Sequence, residues 1–328
     1  MEACRPREDW AIGVDVGGTK IAFGAVDPRT GRVAHRREVP TGPQRGVEAV
    51  YSDILTNGIA IARRLLGEQR WASALGVGLP ELVDADGEIR SAHLLDWSSF
   101  PLRQRLRVVA PPHITSDVRA AALAEATFGA GKDYELFAYV SIGTGISSAV
   151  VQDGEPLVGA RGGALVLSSG SLGVPCPECS NWTEFVLESY ASGPALARRY
   201  AEAINQTVSG AEAVIAAANA GDPVAAQIVE SAADALGSAL GWLVNVIDPE
   251  AIVVGGGLGL APGRFRERLI RATREHIWNP AARELPFLTA ALGADAGLIG
   301  AALSAQRRAT SLDHSGERVL AAANGERR

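Results

Sequence analysis

Three glycine-rich turns, each directly after an apolar run, are the parts of this chain best suited to chemistry: Asp15-Val-Gly-Gly-Thr-Lys20, Ser141-Ile-Gly-Thr-Gly145 and Val254-Gly-Gly-Gly257. Glycine lets a backbone approach a ligand closely and aim N–H groups at phosphate oxygens, and threonine hydroxyls add donors. One such turn says little. Three, with two at equivalent places in a repeated pattern, suggest a nucleotide held between two similar domains. No G-x-x-x-x-G-K-[ST] loop occurs and no turn has the G-x-G-x-x-G order, so P-loop and dinucleotide-fold readings drop out.

The elements that must carry these turns follow from apolar spacing. Ala11–Asp15 reads as a buried strand and Lys20–Val26 as its return, with a second turn at Asp27–Gly31 and a third strand over about 32–39. Val47–Gly67 has apolar residues at helical spacing (Val47, Val50, Ile54, Ile61, Leu65), and Leu75–Leu79 is a short apolar strand ending at Pro80. The alternation predicts an α/β fold. After residue 130 the pattern returns: Phe137–Ser141, the turn Gly143-Thr144-Gly145, then Ser147–Val151 before Asp153-Gly154. Placing Asp15 on Ser141 superposes the two turns, which predicts an internal duplication; two unrelated hairpins sharing glycines is the other reading.

Further on, helices are predicted over Thr183–Ile204, Ala211–Ala218 and Val224–Val246, the last closed by Asp248-Pro249. Ala251–Val254 is a buried strand, Asp295–Ala305 a last helix, and the charged tail from Arg307 carries no clear element. Asp117 stands between the strand-like Pro112–Thr115 and the Ala-rich Val118–Phe128, where an aspartate serves as a helix N-cap.

Composition bounds the class. The 328 residues suffice for two domains, and 47% hydrophobic with 21% charged residues is a folded, enzyme-like balance. Lys+Arg 31 against Asp+Glu 37 leaves a net charge of −6, which favours neither nucleic acid nor an anionic membrane as partner. Apolar stretches stop short of the ~18 residues a membrane span needs. The charged N-terminus predicts no secretory signal, and three cysteines (Cys4, Cys176, Cys179) imply no disulfide scaffold, so a cytoplasmic location is expected.

Eight ordered pieces carry a resemblance: Gly13-Val-Asp15-Val-Gly-Gly-Thr-Lys20, Ser116-Asp117 through Glu125, Gly129-Ala-Gly131, Gly143-Thr-Gly145, Gly159-Ala-Arg-Gly-Gly163, Glu188-Ser-Tyr-Ala-Ser-Gly193, Gly255-Gly-Gly257 and Asp295-Ala-Gly-Leu-Ile-Gly300. Over about residues 10–305 the chain resembles the actin-like ATPase superfamily, specifically the ROK family (repressors, open reading frames and sugar kinases). The resemblance implies an α/β fold of duplicated actin-like ATPase (ribonuclease H-like) domains with an interdomain cleft, an N-terminal domain over 1–117 and a C-terminal one over 118–328, the last helix packing back on the first. It also implies a kinase using ATP and Mg²⁺. Asp15, Gly17, Gly18, Thr19 and Lys20 would form the first phosphate loop, with Asp15 reaching Mg²⁺ through water. Gly143, Thr144 and Gly145 would form the second, and Gly255, Gly256 and Gly257 would lie along the adenosine. Asp117 would be the base that accepts the proton of the attacking hydroxyl, in line with a reaction that asks mainly for positioning, charge neutralisation and one carboxylate.

Departures from that pattern concern the acceptor. Val166 and Ser169 stand where sugar-phosphorylating members carry a Glu and a His. Only Cys176 and Cys179 remain of three zinc-loop cysteines, with Val186 at the third, so no zinc site is expected. His93 and Ser116 replace asparagines, Glu81 replaces a common glycine, and the sugar-contacting Glu188 is kept. The implied acceptor-binding set is His93, Ser116, Asp117 and Glu188. Because a site loses discrimination when a hydroxyl's partner is removed, the implied acceptor is a sugar-like cyclitol of valiolone or valienol type in secondary metabolism. The alternative is a hexose kinase, either a glucokinase or an N-acetylhexosamine kinase. A sugar-sensing regulator is less expected, since only about ten residues precede Ala11. A homodimer is a family expectation.

Overall fold

The computed structural model describes residues 9–175 and 182–325. The chain divides into two compact units, residues 9–128 with 158–164 and 294–325, and residues 129–157 with 165–293. The first unit opens with β1 (Asp9–Val16), β2 (Lys20–Val26) and β3 (Val33–Pro40), followed by α1 (Val47–Gly67), β4 (Trp71–Leu79), α2 (Leu102–Leu106), β5 (Pro112–Ser116) and α3 (Asp117–Phe128). Its sheet has the order β3-β2-β1-β4-β5, antiparallel across the meander and parallel from β1 to β4 to β5. α1 buries Val50, Ile54, Ile61 and Leu65 in a core shared with Trp10, Ile12, Leu75 and Val77, as its helical spacing predicts.

The second unit repeats the plan with β6 (Leu136–Ile142), β7 (Ile146–Gln152), β8 (Glu155–Pro156), the ribbon β9 (Ser171–Pro175) and β10 (Trp182–Val186), then α4 (Leu187–Ala191), α5 (Gly193–Ile204), α6 (Ala211–Asn219), α7 (Pro223–Ile247), β11 (Ala251–Gly255), α8 (Gly257–Leu260), α9 (Arg264–His276) and β12 (Phe287–Thr289). Its sheet order, β12-β11-β6-β7-β8, reproduces that of the first unit. The registers agree as well. Asp15 of β1 lies opposite Gly78 of β4, and Ser141 of β6 lies opposite Gly255 of β11. The structure is therefore a duplication with residue 15 on residue 141. The hairpin turns differ by one residue, Val16 pairing with Ile21 and Ile142 with Ile146.

The chain returns to the first unit as α10 (Ala296–Gly325), which packs on β1, β4 and α3. Four sequence expectations need correction. Residues 183–186 belong to β10, paired antiparallel with β9, and not to a helix; Trp-Thr-Glu-Phe-Val is rich in aromatic and β-branched residues, which favour strands. The tail from Arg307 is the continuation of α10 to Gly325, a stretch without proline whose apolar periodicity fades while helix formers persist. α9 has no counterpart in the sequence reading. The units do not part at 117/118: α3 stays with the first unit because its face of Ala120, Leu123 and Ala124 is buried in packing that includes α10. Cys4, Cys176 and Cys179, and with them the expectation about zinc, lie outside the described residues.

Candidate active site

In the first unit the parallel strands β1, β4 and β5 all end on one edge of the sheet, the edge where open α/β sheets bind ligands. Asp15 is next to last in β1, Leu79 ends β4 ahead of Pro80-Glu81, and Asp117 follows Ser116 at the end of β5. Gly78 sits between the two aspartates: a Cβ there would lie 3.4 Å from the Asp117 Cα and 3.7 Å from Asp15 Oδ1. Asp295, just ahead of α10, adds negative charge near Asp15.

Both carboxyls are pushed toward neutrality. Burial raises Asp15 to about 6, with Asp295 repulsion adding to it and Lys20 opposing. Burial raises Asp117 to about 7, with repulsion from Asp15 and Glu81 adding, against hydrogen bonds from the Val118 N–H and Ser116. Asp117 Oδ1 accepts from the Val118 N–H at 2.6 Å. A capping carboxylate takes N–H groups two or three residues on, so helix capping does not account for this aspartate. Among the described residues no hydrogen-bond donor is seen at the Asp15 carboxylate.

The first glycine turn is held by Gly17 N–H donating to Lys20 O (2.9 Å) and by the buried Thr41, whose hydroxyl donates to Gly17 O at 2.6 Å. Gly18, Thr19 and Lys20 are exposed, and Lys20 Nζ pairs with Glu38 at 2.5 Å. His93 is exposed on the 91–97 loop, and its backbone N–H donates to Glu81 Oε2 at 2.6 Å.

In the second unit, β6 and β11 end side by side and bring two glycine turns together. A Cβ on Gly143 would lie 3.6 Å from the Gly257 N, and Gly143 O accepts from the Gly193 N–H at 2.9 Å. Thr144 and Gly145 are exposed. Gly256 has φ 78° and a Cβ there would run into the Ile142 backbone, so Gly256→Ala is expected to destabilise this unit by ~1–3 kcal/mol, read as a lowered midpoint in urea. Glu188 accepts from the Ile146 N–H at 2.8 Å, and its Oε2 would stand 2.8 Å from a Cβ on Gly145. It thus braces the second turn and belongs to the second unit, whereas His93, Ser116 and Asp117 belong to the first. Val166 is exposed, ahead of the short helical turn Leu167–Ser169.

A family model described as ROK family matches residues 11–308. The chain belongs to the ROK family. A glucokinase of Halalkalibacterium halodurans is 31% identical over 94% of this chain and 98% of its own length. An N-acetyl-D-glucosamine kinase of Escherichia coli is 30% identical over 87% of this chain and 95% of its own. Among solved structures, a ROK family glucokinase from Streptomyces griseus in complex with glucose and AMPPNP is 30% identical with a TM-score of 0.75, covering 91% of this chain and 99% of its own. The fold of this ROK chain is accordingly the actin-like ATPase fold. Among the described residues no helix is long and apolar enough to cross a membrane.

Sequence reasoning about this ROK chain left four residues without a role. Glu81 is buried and takes four donors from one loop. Arg119, also buried, donates to the carbonyls of Val83 and Gly162 and so ties residues 158–164 to the first unit. Thr41 braces the first turn, and Gly297 leaves room for the Asp15 carboxylate. Gly297 lies in a quoted motif, and Glu81 was visible as a departure; nothing local marks Thr41 or Arg119.

Proposed function

We propose that this ROK chain is an ATP-dependent kinase whose acceptor is a hexose or an N-acetylhexosamine. The observation that carries the reading is the pair of raised carboxyls, Asp15 and Asp117, flanking Gly78 at the ends of parallel strands. A carboxyl near neutrality is matched to accepting a proton around pH 7. Asp117 takes the proton of the acceptor hydroxyl as that oxygen bonds to the γ-phosphorus of ATP. The bond from the γ-phosphorus to its bridging oxygen breaks and ADP leaves with the electron pair.

The half-buried Asp15 carboxylate, which accepts no hydrogen bond among the described residues, is a hard oxygen ligand suited to a hydrated Mg²⁺, and one carboxylate plus substrate phosphates is a usual way to hold that ion. Mg²⁺ would supply neutralisation of charge on the transferring phosphoryl group. The exposed Gly18 and Thr19 of the first turn supply backbone N–H donors for phosphate oxygens. Names of relatives favour glucose or N-acetylglucosamine over the cyclitol that Val166 and Ser169 suggested, and those two residues remain the one feature in favour of a cyclitol.

A coupled ADP-release assay with glucose, mannose, N-acetylglucosamine, N-acetylmannosamine and a valiolone-type cyclitol tests the choice. At least a tenfold higher kcat/KM for one of the hexoses or hexosamines is the expected result. Turnover of the cyclitol alone would overturn the acceptor class, and absence of turnover with every acceptor would overturn the kinase reading.

A further inference from the structure

Glu81 lies two residues beyond the end of β4, between the buried Leu79 and Val83 in the sequence, and is 2% exposed. A buried carboxylate is costly unless donors surround it. Here four do. Oε2 accepts from Ser91 Oγ at 2.5 Å and from the His93 N–H at 2.6 Å, while Oε1 accepts from the Leu94 N–H at 2.7 Å and the Leu95 N–H at 3.1 Å. Ser91 Oγ accepts in turn from the Leu82 N–H at 2.9 Å, and the Arg90 N–H donates to Leu82 O at 2.7 Å. Three consecutive backbone N–H groups therefore converge on one carboxylate, a concave arrangement that fits an anion and leaves no conformational slack.

The loop so held is not remote from the chemistry. Leu94 reaches to 4.0 Å from a Cβ position on Gly18 in the first glycine turn, His93 is presented to solvent beside it, and Glu81 is close enough to Asp117 to repel its charge. Downstream, Leu95 and Trp97 are buried and anchor the far end.

We propose that Glu81 is a positioning residue for acceptor binding: its carboxylate fixes the backbone of residues 93–95 and thereby sets where His93 and Leu94 meet the acceptor. It touches no substrate itself. The kinetic side of this inference rests on the kinase reading above; the structural side does not.

Glu81→Gln is the informative change, because it keeps the shape, removes the charge and replaces one of the two acceptor oxygens with an NH₂ group that faces N–H or O–H donors. In the full chain, amide hydrogen exchange at residues 93–95 should accelerate at least tenfold, with exchange in α1 and β4 unchanged. The KM for the best acceptor should rise at least fivefold, while the KM for ATP stays within twofold. Ser91→Ala, which removes one donor only, should move both quantities in the same direction by a smaller factor, and it carries the test if Glu81→Gln does not fold. Unchanged exchange in a folded variant overturns the clamp. Faster exchange with equal effects on both KM values, or with kcat alone reduced, overturns the acceptor role. If wild type turns over no acceptor, the kinase reading fails, and the exchange result still decides whether the clamp exists.

Discussion

Asp117→Asn is expected to lower acceptor-dependent ADP release by ~10²–10⁴-fold, the range for removing a general base, while the KM for ATP stays within about twofold. Asparagine keeps the shape and the hydrogen bond from Val118 but cannot take a proton. The pH profile follows from the carboxyl at about 7. A base works only when ionised, so kcat/KM of the wild type should fall tenfold per pH unit below that point and level off above it. Stability moves the opposite way. The folded chain holds the Asp117 proton more tightly than the unfolded chain, whose carboxyl sits near 3.8; between those values the native state binds more protons, so this group's contribution falls as pH rises through about 7. Its ionised form at pH 8 costs ~1–4 kcal/mol, the upper figure being three units at ~1.36 kcal/mol each and the lower allowing for its partial exposure. Asp117→Asn should therefore be nearly inactive and yet melt higher than wild type at pH 8, with the difference closing near pH 4. A variant that melts lower at pH 8, or that keeps its rate, would sink the assignment of the base.

What the amino-acid order reveals here depends on whether a pattern is local. The hairpin of β1 and β2, α1 and α7 have unbroken apolar periodicity, and their observed bounds lie within about one or two residues of those predicted. α9 is charged at most positions and buries only Phe265, Leu269, Ala272 and Thr273, so its apolar stripe is too thin to stand out. β10 is fixed by its partner β9, a pairing that no spacing rule encodes. The site behaves similarly. Asp15 and Asp117 were legible as parts of motifs, but they become neighbours only because the strand order runs β1-β4-β5, setting Asp15 opposite Gly78 and Leu79 opposite Ser116. Glu81 stood out by type. Its purpose needs the knowledge that residues 91–95 fold back onto it, a contact spanning ten to fourteen positions.

Gly297 is the position where helix propensity and the site make opposite demands. It is the second residue of α10, and exchanging glycine for alanine in a helix ordinarily stabilises by up to ~1 kcal/mol. A methyl group there would stand 2.5 Å from Asp15 Oδ2, 2.6 Å from its Cγ and 2.8 Å from Oδ1. Asp15 sits in a strand paired on both sides, with Ala22 and Gly78, so its backbone has nowhere to go. Either the carboxylate turns out of place or the start of α10 shifts, and both disturb the group proposed to face the nucleotide's metal. Gly297→Ala should lose ~10²-fold in kcat/KM for ATP, as misplacement by about 1 Å does, with a melting temperature equal to or above that of the wild type. Asp15→Ala should lose at least as much. In the double variant the added methyl meets no carboxylate, so its rate should match Asp15→Ala alone, and the cycle should return a coupling of ~2–3 kcal/mol, the free-energy equivalent of the Gly297→Ala loss. Multiplying losses, with no coupling, would mean that Gly297 acts on something other than Asp15. A lower melting temperature in Gly297→Ala that Asp15→Ala fails to relieve would place the conflict in the packing of α10 and not in the site.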